Sequence, residues 1–142
     1  MDRATKEQGT LLDSGLLIIR LFMGFLMFYL HGWSKLIAGP ERWQKLGIAL
    51  TDVFGLDFLA LPFGFLASFS ESIGALCILL GCVTRPAAFL LAGTMVVAAA
   101  KHFPDGLQGM EKALLFLNMS FFLFLVGPGK YSIDYFRQRK GR

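Results

Sequence analysis

Two charged side chains, Arg20 and Glu71, stand inside long apolar runs of the sequence, where ionised groups are rare. A charge at the centre of a membrane-spanning helix costs at least about 2.5–3.5 kcal/mol, so it usually faces the bundle interior and finds a partner. Counted along antiparallel helices, Arg20 lies about 12 Å and Glu71 about 15 Å from the same membrane face. We therefore expect them to meet, either as a structural ion pair that fixes helix register or as a proton or quinone-headgroup site.

A second group of polar side chains is expected at one depth near the opposite membrane face. It comprises His31, Trp33, Lys35, His102 and Glu111. Imidazoles and a carboxylate that converge can relay protons, hydrogen-bond a quinone carbonyl or bind a metal. No HxxxH or ExxH spacing is present, so we predict no metal site. The alternative is a polar belt that caps helix ends, where His, Trp and Lys are common.

Four apolar runs must position these residues. The chain has 142 residues, of which 55% are hydrophobic and 17% charged, whereas a soluble domain is about 45–50% apolar and about 25% charged. A helix needs about 20 apolar residues to span a membrane. This pattern excludes a soluble enzyme, a disordered tail and a disulfide-rich secreted module. It predicts one all-α integral membrane four-helix bundle over residues 1–142, with spans at 12–33, 58–81, 84–102 and 111–127.

Several local features are predicted between the spans. Residues 41–52 are amphipathic and suit a short helix at the membrane interface, with Arg42 and Lys45 toward water. Thr84 is the expected N-cap of the third span. The polar residues 1–13 lack a cleavage pattern, so the first run is expected to be a retained span.

The two cysteines, Cys77 and Cys82, are five residues apart within one run. On a single helix their side chains would point about 140° apart. We therefore expect no disulfide between them, and their spacing is not that of a CxxC redox pair.

The distribution of basic residues predicts the orientation. With four spans both termini lie on one side, and that side would hold eight of the fourteen Lys and Arg residues, against five opposite. The segment 128–142 carries much of this excess as a basic tail. The positive-inside rule places the termini in the cytoplasm, where the tail would meet anionic lipid. No nucleic-acid partner is expected.

These residues together resemble the DoxX family of small four-span bacterial membrane proteins, over about residues 14–136. The motifs that carry the resemblance are Arg20 with Gly24, His31-Gly32-Trp33-Ser34-Lys35-Leu36, Glu71 with Gly74, Leu80-Gly81 leading to Thr84-Arg85, His102, Glu111 with Ala113-Leu114-Leu115, and the closing Gly127-Pro128-Gly129-Lys130-Tyr131-Ser132-Ile133-Asp134.

The resemblance implies a four-helix bundle in the bacterial plasma membrane and a link to quinone oxidoreduction. The family includes the small subunit of a terminal quinol oxidase and oxidoreductases tied to oxidative stress. We therefore expect a component that handles quinone or quinol. Glu71, His31 and His102 would be the catalytic groups, and the headgroup would be held by Arg20, Lys35, Glu111 and Trp33.

No flavin or haem ligation is evident, so the electron carrier would be the quinone itself or belong to a partner oxidoreductase subunit. The chain also lacks the cysteine pair of bundles that resemble vitamin K epoxide reductase, which argues against thiol–disulfide chemistry. The alternative function is a non-catalytic assembly, scaffold or chaperone-like subunit. A transporter is a third, less favoured reading, because repeat symmetry is not visible. The lipid bilayer is the expected environment, with a homo-oligomer as a further expectation.

Overall fold

The computed structural model describes residues 3–54 and 56–141, with the backbone alone at 3–6, 50 and 52–54. All regular structure in this described part is helical, which confirms the all-α prediction. Within residues 3–54 and 56–141, three helices are long and apolar enough to cross a membrane: Glu7–Leu36, Asp57–Leu80 and Phe103–Val126. Thr84–Lys101 is shorter and is not among them, so the count of four spans stays a prediction. Large apolar side chains such as Phe22, Phe58 and Leu107 face outward, as bilayer contact requires.

The first two long helices are each interrupted by one π-helical turn. The first consists of α1 (Arg3–Met27), a π turn (Phe28–Gly32) and α2 (Trp33–Leu36). The second begins with a 3₁₀ turn (Asp57–Leu59) and continues through α4 (Ala60–Phe69), a π turn (Ser70–Gly74) and α5 (Ala75–Leu80). Such single π turns inside α-helices are often found at functional sites.

The two π turns pack directly against each other. A Cβ atom added to Gly32 would lie 2.1 Å from the carbonyl oxygen of Glu71 and 2.7 Å from the Cα of Ser72. Both contacts are to backbone, which cannot turn aside as a flexible side chain does. The close approach of the two turns therefore requires glycine at position 32.

A helix does form between the first two long helices, and it extends as α3 from Pro40 to Phe54. It packs along α4 instead of standing apart from the bundle. A Cβ atom on Gly47 would lie 1.7 Å from the carbonyl oxygen of Ala60, and one on Gly64 would lie 1.5 Å from that of Trp43. Small residues permit this close helix packing in a membrane. Arg42 and Lys45 are exposed.

The second long helix ends at Leu80, and Cys82 lies beyond it. Gly81 adopts the left-handed conformation, at φ 71° and ψ 36°. Its N–H donates to the Ile78 carbonyl at 3.1 Å, and the Cys82 N–H donates to the Cys77 carbonyl at 2.9 Å. These two bonds form a Schellman motif, which folds the chain back over the last helical turn. Cys77 and Cys82 therefore do not share one helix, and the separation of about 140° expected on a single helix does not apply to them.

The next helix, α6 (Thr84–Lys101), is capped by a residue far along the chain. The Asp134 carboxylate accepts hydrogen bonds from the backbone N–H groups of Val83 and Thr84, at 2.8 and 2.9 Å, and from the Thr84 hydroxyl at 2.9 Å. Val83, at φ 43°, occupies the N-cap position. Thr84 is therefore not the cap that the sequence predicts, and its hydroxyl contacts the remote carboxylate instead.

The remaining helices are α7 (Gly106–Val126), which follows a 3₁₀ turn at Phe103–Asp105, and α8 (Ile133–Lys140). The short α8 lies within the predicted basic tail, where no helix was expected. It is capped by the Ser132 hydroxyl, which accepts from the Tyr135 N–H at 3.2 Å.

The segment that joins α7 to α8 is fastened to the first helix. The Lys130 N–H donates to Asp13 Oδ1 at 3.0 Å, and its ammonium pairs with Asp13 Oδ2, also at 3.0 Å. The hydrogen bond from the Lys130 ammonium to Asp13, and then the charge of that carboxylate, raise the pKa of Lys130 above its ordinary value. The core between these elements is apolar and includes the buried side chains Met23, Met27, Ile78, Leu91 and Leu123.

Candidate functional site

An ion pair between Lys35 and Glu71 lies beside the two π turns. Lys35 Nζ donates to Glu71 Oε2. The Lys35 side chain is 20% exposed and that of Glu71 only 5%. Lys35 comes from α2, immediately after the first π turn, and Glu71 lies in the second. Both turns therefore contribute to positioning one enclosed pair of opposite charges.

Arg20 does not meet Glu71, and the predicted pairing of these residues is wrong. Arg20 is 1% exposed, and its Nη2 donates to the carbonyl oxygen of Tyr131. Its guanidinium packs against Gly81, and the charge that acts on it is that of Asp134. Its Nε and Nη1 atoms have no hydrogen-bond partner within the described part of the chain.

The separation has a simple geometric cause. Arg20 lies level with Gly81, which is ten residues beyond Glu71 on the second long helix, or about 15 Å along its axis. The first long helix continues to Leu36, so Lys35 is carried to the level of Glu71. In the sequence analysis, depth in the membrane was counted from the predicted ends of the spans. This count placed Lys35 near the opposite membrane face, away from Glu71, and so missed the pairing.

A cavity of about 430 Å³, here called the polar cavity, contains both histidines that the sequence singles out. His31, Lys35, Glu71, His102 and Lys112 line it. The His31 ring meets Phe116 edge-on, at 6.0 Å between centroids. His102 Nδ1 lies 3.0 Å from Asp105 Oδ2. The structure thus brings four of the seven predicted site residues to one cavity.

A second cavity, of about 370 Å³ and here called the apolar cavity, adjoins the first at the ion pair. Both cavities are lined by Lys35, Glu71, Ala98 and His102. Apart from Thr94 and Lys101, the other walls of the apolar cavity are mostly hydrocarbon and come from α3, α4 and α6; they include Leu46, Phe63, Leu66, Phe89, Leu90 and Val97. The ion pair therefore stands where a polar space meets an apolar one.

Three predicted site residues lie outside both cavities. Arg20 is at the level of Gly81, as described above. Trp33 is 53% exposed and packs against Phe28, at 5.9 Å between ring centroids. Glu111 is exposed and lines neither cavity.

Sequence reasoning missed Gln108 and Lys112, which line the polar cavity together with Phe116. These three residues are spaced by four on α7 and so share one face of that helix. The spacing was available in the sequence. Glu111 was predicted as a site residue because it carries a carboxylate. It precedes Lys112 by one residue, so its side chain points about 100° away from that of Lys112.

The polar side chains that line the cavities suit an organic ligand with polar groups at one end. An ammonium, two imidazoles, an amide and a carboxylate can all hydrogen-bond to such a ligand. Among residues 3–54 and 56–141, no three His, Cys, Asp or Glu side chains group closely enough to hold a metal ion.

Long apolar helices around an enclosed ion pair define a helical membrane protein with an internal polar site. A family model described as DoxX matches residues 15–104, more than half of the chain. The chain belongs to the DoxX family. The matched range includes His31, Lys35, Glu71 and His102, and it ends before Lys112.

One relative is inner membrane protein YqjF of Escherichia coli (strain K12). It is 29% identical to this chain over 135 residues, which cover 90% of this chain and 95% of the relative. No solved structure matches the chain.

Proposed function

We propose that the protein binds a membrane quinone or quinol and serves as a component of a membrane oxidoreductase. One observation carries the proposal: the Lys35–Glu71 ion pair stands at the junction of a polar and an apolar cavity. A membrane quinone has the same two parts, since a flat headgroup with two carbonyl oxygens is joined to a hydrocarbon tail. Each cavity also falls within the range of about 300–1,000 Å³ typical of small-molecule sites.

The polar groups can handle the protons of such a ligand. The Lys35 ammonium is a donor for a quinone carbonyl, and the Glu71 carboxylate is an acceptor for a quinol hydroxyl. Oxidation of a quinol releases two protons and two electrons. Glu71 and His31 are placed to accept the protons as general bases, and the electrons pass to a partner oxidoreductase subunit.

Lys35 and Glu71 must open to admit the headgroup. An enclosed ion pair is expensive to break unless new hydrogen bonds replace the old ones. A quinol can form a replacement hydrogen bond with each residue, because its oxygen can accept from Lys35 while its hydroxyl donates to Glu71. This requirement selects a ligand with a donor and an acceptor close together over a purely apolar lipid.

We further propose that the protein resides in an inner membrane with both termini in the cytoplasm. The named location of the Escherichia coli relative supports the first part. The excess of basic residues near the termini and in the connection between α5 and α6 supports the second, by the positive-inside rule.

A non-catalytic assembly subunit is the second candidate. It is favoured by the contacts of Arg20, which joins the first helix to the C-terminal segment without reaching either cavity. In such a subunit the buried charges would only hold the helices in register. Quinone binding distinguishes the two functions.

The test is quinone retention by protein purified in mild detergent, measured by solvent extraction and mass spectrometry. We expect long-tailed quinone in the wild-type extract and its loss in Gly93→Leu, which adds bulk to the wall of the apolar cavity at a glycine with open space around it. Gly15→Leu is the matched control, since that glycine also faces open space and lies outside both cavities. Absence of quinone from wild-type protein, or equal loss in both variants, would overturn the proposal.

A further inference from the structure

The end of α5 brings Cys77 and Cys82 together. In a Schellman motif the residue after the left-handed glycine often contacts the residue whose carbonyl accepts its N–H. Here those two residues are Cys82 and Cys77, with 2.9 Å between donor nitrogen and acceptor oxygen. Both cysteines are free, and both are only partly buried.

The turn that juxtaposes them is held from two sides. A Cβ atom on Gly81 would lie 1.9 Å from Arg20 Nη1, so the guanidinium packs directly against the turn. The Asp134 N–H donates to the Gly81 carbonyl at 2.9 Å. Cys77 and Cys82 are therefore presented by a fixed backbone and not by a flexible loop. A disulfide needs its two Cα atoms within about 4.4–6.8 Å, and the Schellman hydrogen bond from Cys82 to Cys77 favours such a close approach.

We propose that Cys77 and Cys82 form a reversible dithiol–disulfide pair that closes by exchange with a small-molecule disulfide. The inference is independent of the proposed quinone site, because neither cysteine lines the polar or the apolar cavity.

The exchange proceeds in two balanced steps. Cys82 lies in the connection between α5 and α6, outside the apolar span Asp57–Leu80, and so meets a water-borne reagent first. Its thiolate attacks one sulfur of the small disulfide, forms a mixed disulfide and releases one small thiolate. Cys77 then loses its proton and attacks the Cys82 sulfur, which forms the internal disulfide and releases the second small thiolate. The protein loses two electrons and two protons, and the small disulfide gains them.

This pair would act as a redox-responsive site and not as a structural staple. Thiols that face a reducing compartment stay reduced, and disulfides there are usually transient. The loop that closes is only six residues long, so the disulfide would lock the left-handed turn at Gly81. Oxidation would therefore make the turn at Gly81 more rigid, and Arg20 and Asp134 contact this same turn.

The test uses the full-length protein in mild detergent, exposed to glutathione disulfide, quenched with acid and labelled with a maleimide. Intact-mass spectrometry should then show wild-type protein that has lost two hydrogens, carries no maleimide and regains two labels after dithiothreitol. Cys77→Ser and Cys82→Ser should each stop at one glutathione adduct. Glu111→Gln, which alters an exposed carboxylate outside both cavities, should close its disulfide as wild type does.

A matched control keeps two thiols but moves one of them. The double variant Cys82→Ser/Val83→Cys places the second thiol one residue further on, at an exposed position. It should collect two glutathione adducts and form no internal disulfide. Wild-type protein that collects two adducts, or that forms only disulfide-linked dimers, would overturn the proposal whatever the control does.

Discussion

Lys35 donates to Glu71 across two π-helical turns, and both side chains of this ion pair are largely enclosed. The pair connects the first long helix to the second at the point where their backbones approach most closely, as the contact of Gly32 with Glu71 indicates. It also borders both cavities. Helix packing and ligand chemistry therefore depend on the same two residues. Mutations of Lys35 and Glu71, singly and together, can separate the two roles.

Removal of one partner should destabilise the protein more than removal of both. Glu71→Gln leaves the Lys35 ammonium without its counter-charge, and breaking a fully buried pair in this way costs about 3–5 kcal/mol. The cost here should be lower, since Lys35 is 20% exposed. The double variant Lys35→Met/Glu71→Leu should recover most of the stability. Thermal unfolding in detergent measures the three proteins, and a double variant less stable than Glu71→Gln would contradict the pairing.

Close packing of the two π turns predicts that Gly32→Ala is strongly destabilising. The added methyl group would meet the carbonyl of Glu71 and the backbone of Ser72, which cannot move aside. Gly15→Ala is the control, because that α1 glycine has open space around it, and the exchange of a helical Gly for Ala is worth about 0.5–1 kcal/mol of stabilisation. Opposite signs are expected in thermal unfolding. Similar unfolding temperatures for the two variants would show that the turns are not in contact.

The remote cap on α6 predicts a cost for Asp134→Ala. This change removes an acceptor for three hydrogen bonds and the charge that acts on Arg20. Loss of an ordinary cap costs about 0.5–2 kcal/mol, and we expect a value at or above the upper end. Hydrogen exchange should quicken at Val83 and Thr84, whose N–H groups lose their partner. The exposed Glu7→Ala should leave both measurements unchanged, and slow exchange in Asp134→Ala would refute the cap.

The ion pair of Lys130 with Asp13 should contribute to stability in neutral solution and fail in strong alkali. The pKa of Lys130 is raised above its ordinary value of 10.5, so folding favours the charged form. The contribution is fully present below 10.5 and is lost as the pH rises through the higher folded-state value. Lys130→Met should therefore lower the unfolding temperature at pH 8 but make little difference far above 10.5. Lys130→Arg should remove this pH dependence, and a constant difference between wild type and Lys130→Met would contradict the pairing.

The sequence predicts the helical class and the residues of the polar cavity better than it predicts their partners. The apolar runs are visible directly in the order of the residues, so the all-α membrane class follows from them. His31, Glu71 and His102 were found because polar groups are costly among apolar neighbours. Their partners depend on helix register, and two π turns shift that register locally. No residue type marks a π turn, which is why Lys35 was not recognised as the partner of Glu71.

Long-range contacts at the other end of the bundle were equally inaccessible to sequence reasoning. Asp134 caps a helix that begins 50 residues earlier, and no local pattern reveals that contact. Gly81, by contrast, is a recognisable helix-ending residue. The predicted second span already ended at Gly81, but treating Cys77 and Cys82 as residues of a single helix overlooked the Schellman geometry that folds the chain back there.

The most direct test of the central claim is a titration with a short-chain benzoquinone, followed by tryptophan fluorescence. Trp43 is a natural reporter, since its indole N–H donates to the Lys35 carbonyl at 2.9 Å. We predict saturable quenching in wild type, affinity reduced at least about tenfold in Glu71→Gln, and unchanged affinity in Glu111→Gln, which alters an exposed carboxylate outside both cavities. Quenching that never saturates, or equal affinities in the two variants, would contradict a quinone site at the Lys35–Glu71 pair.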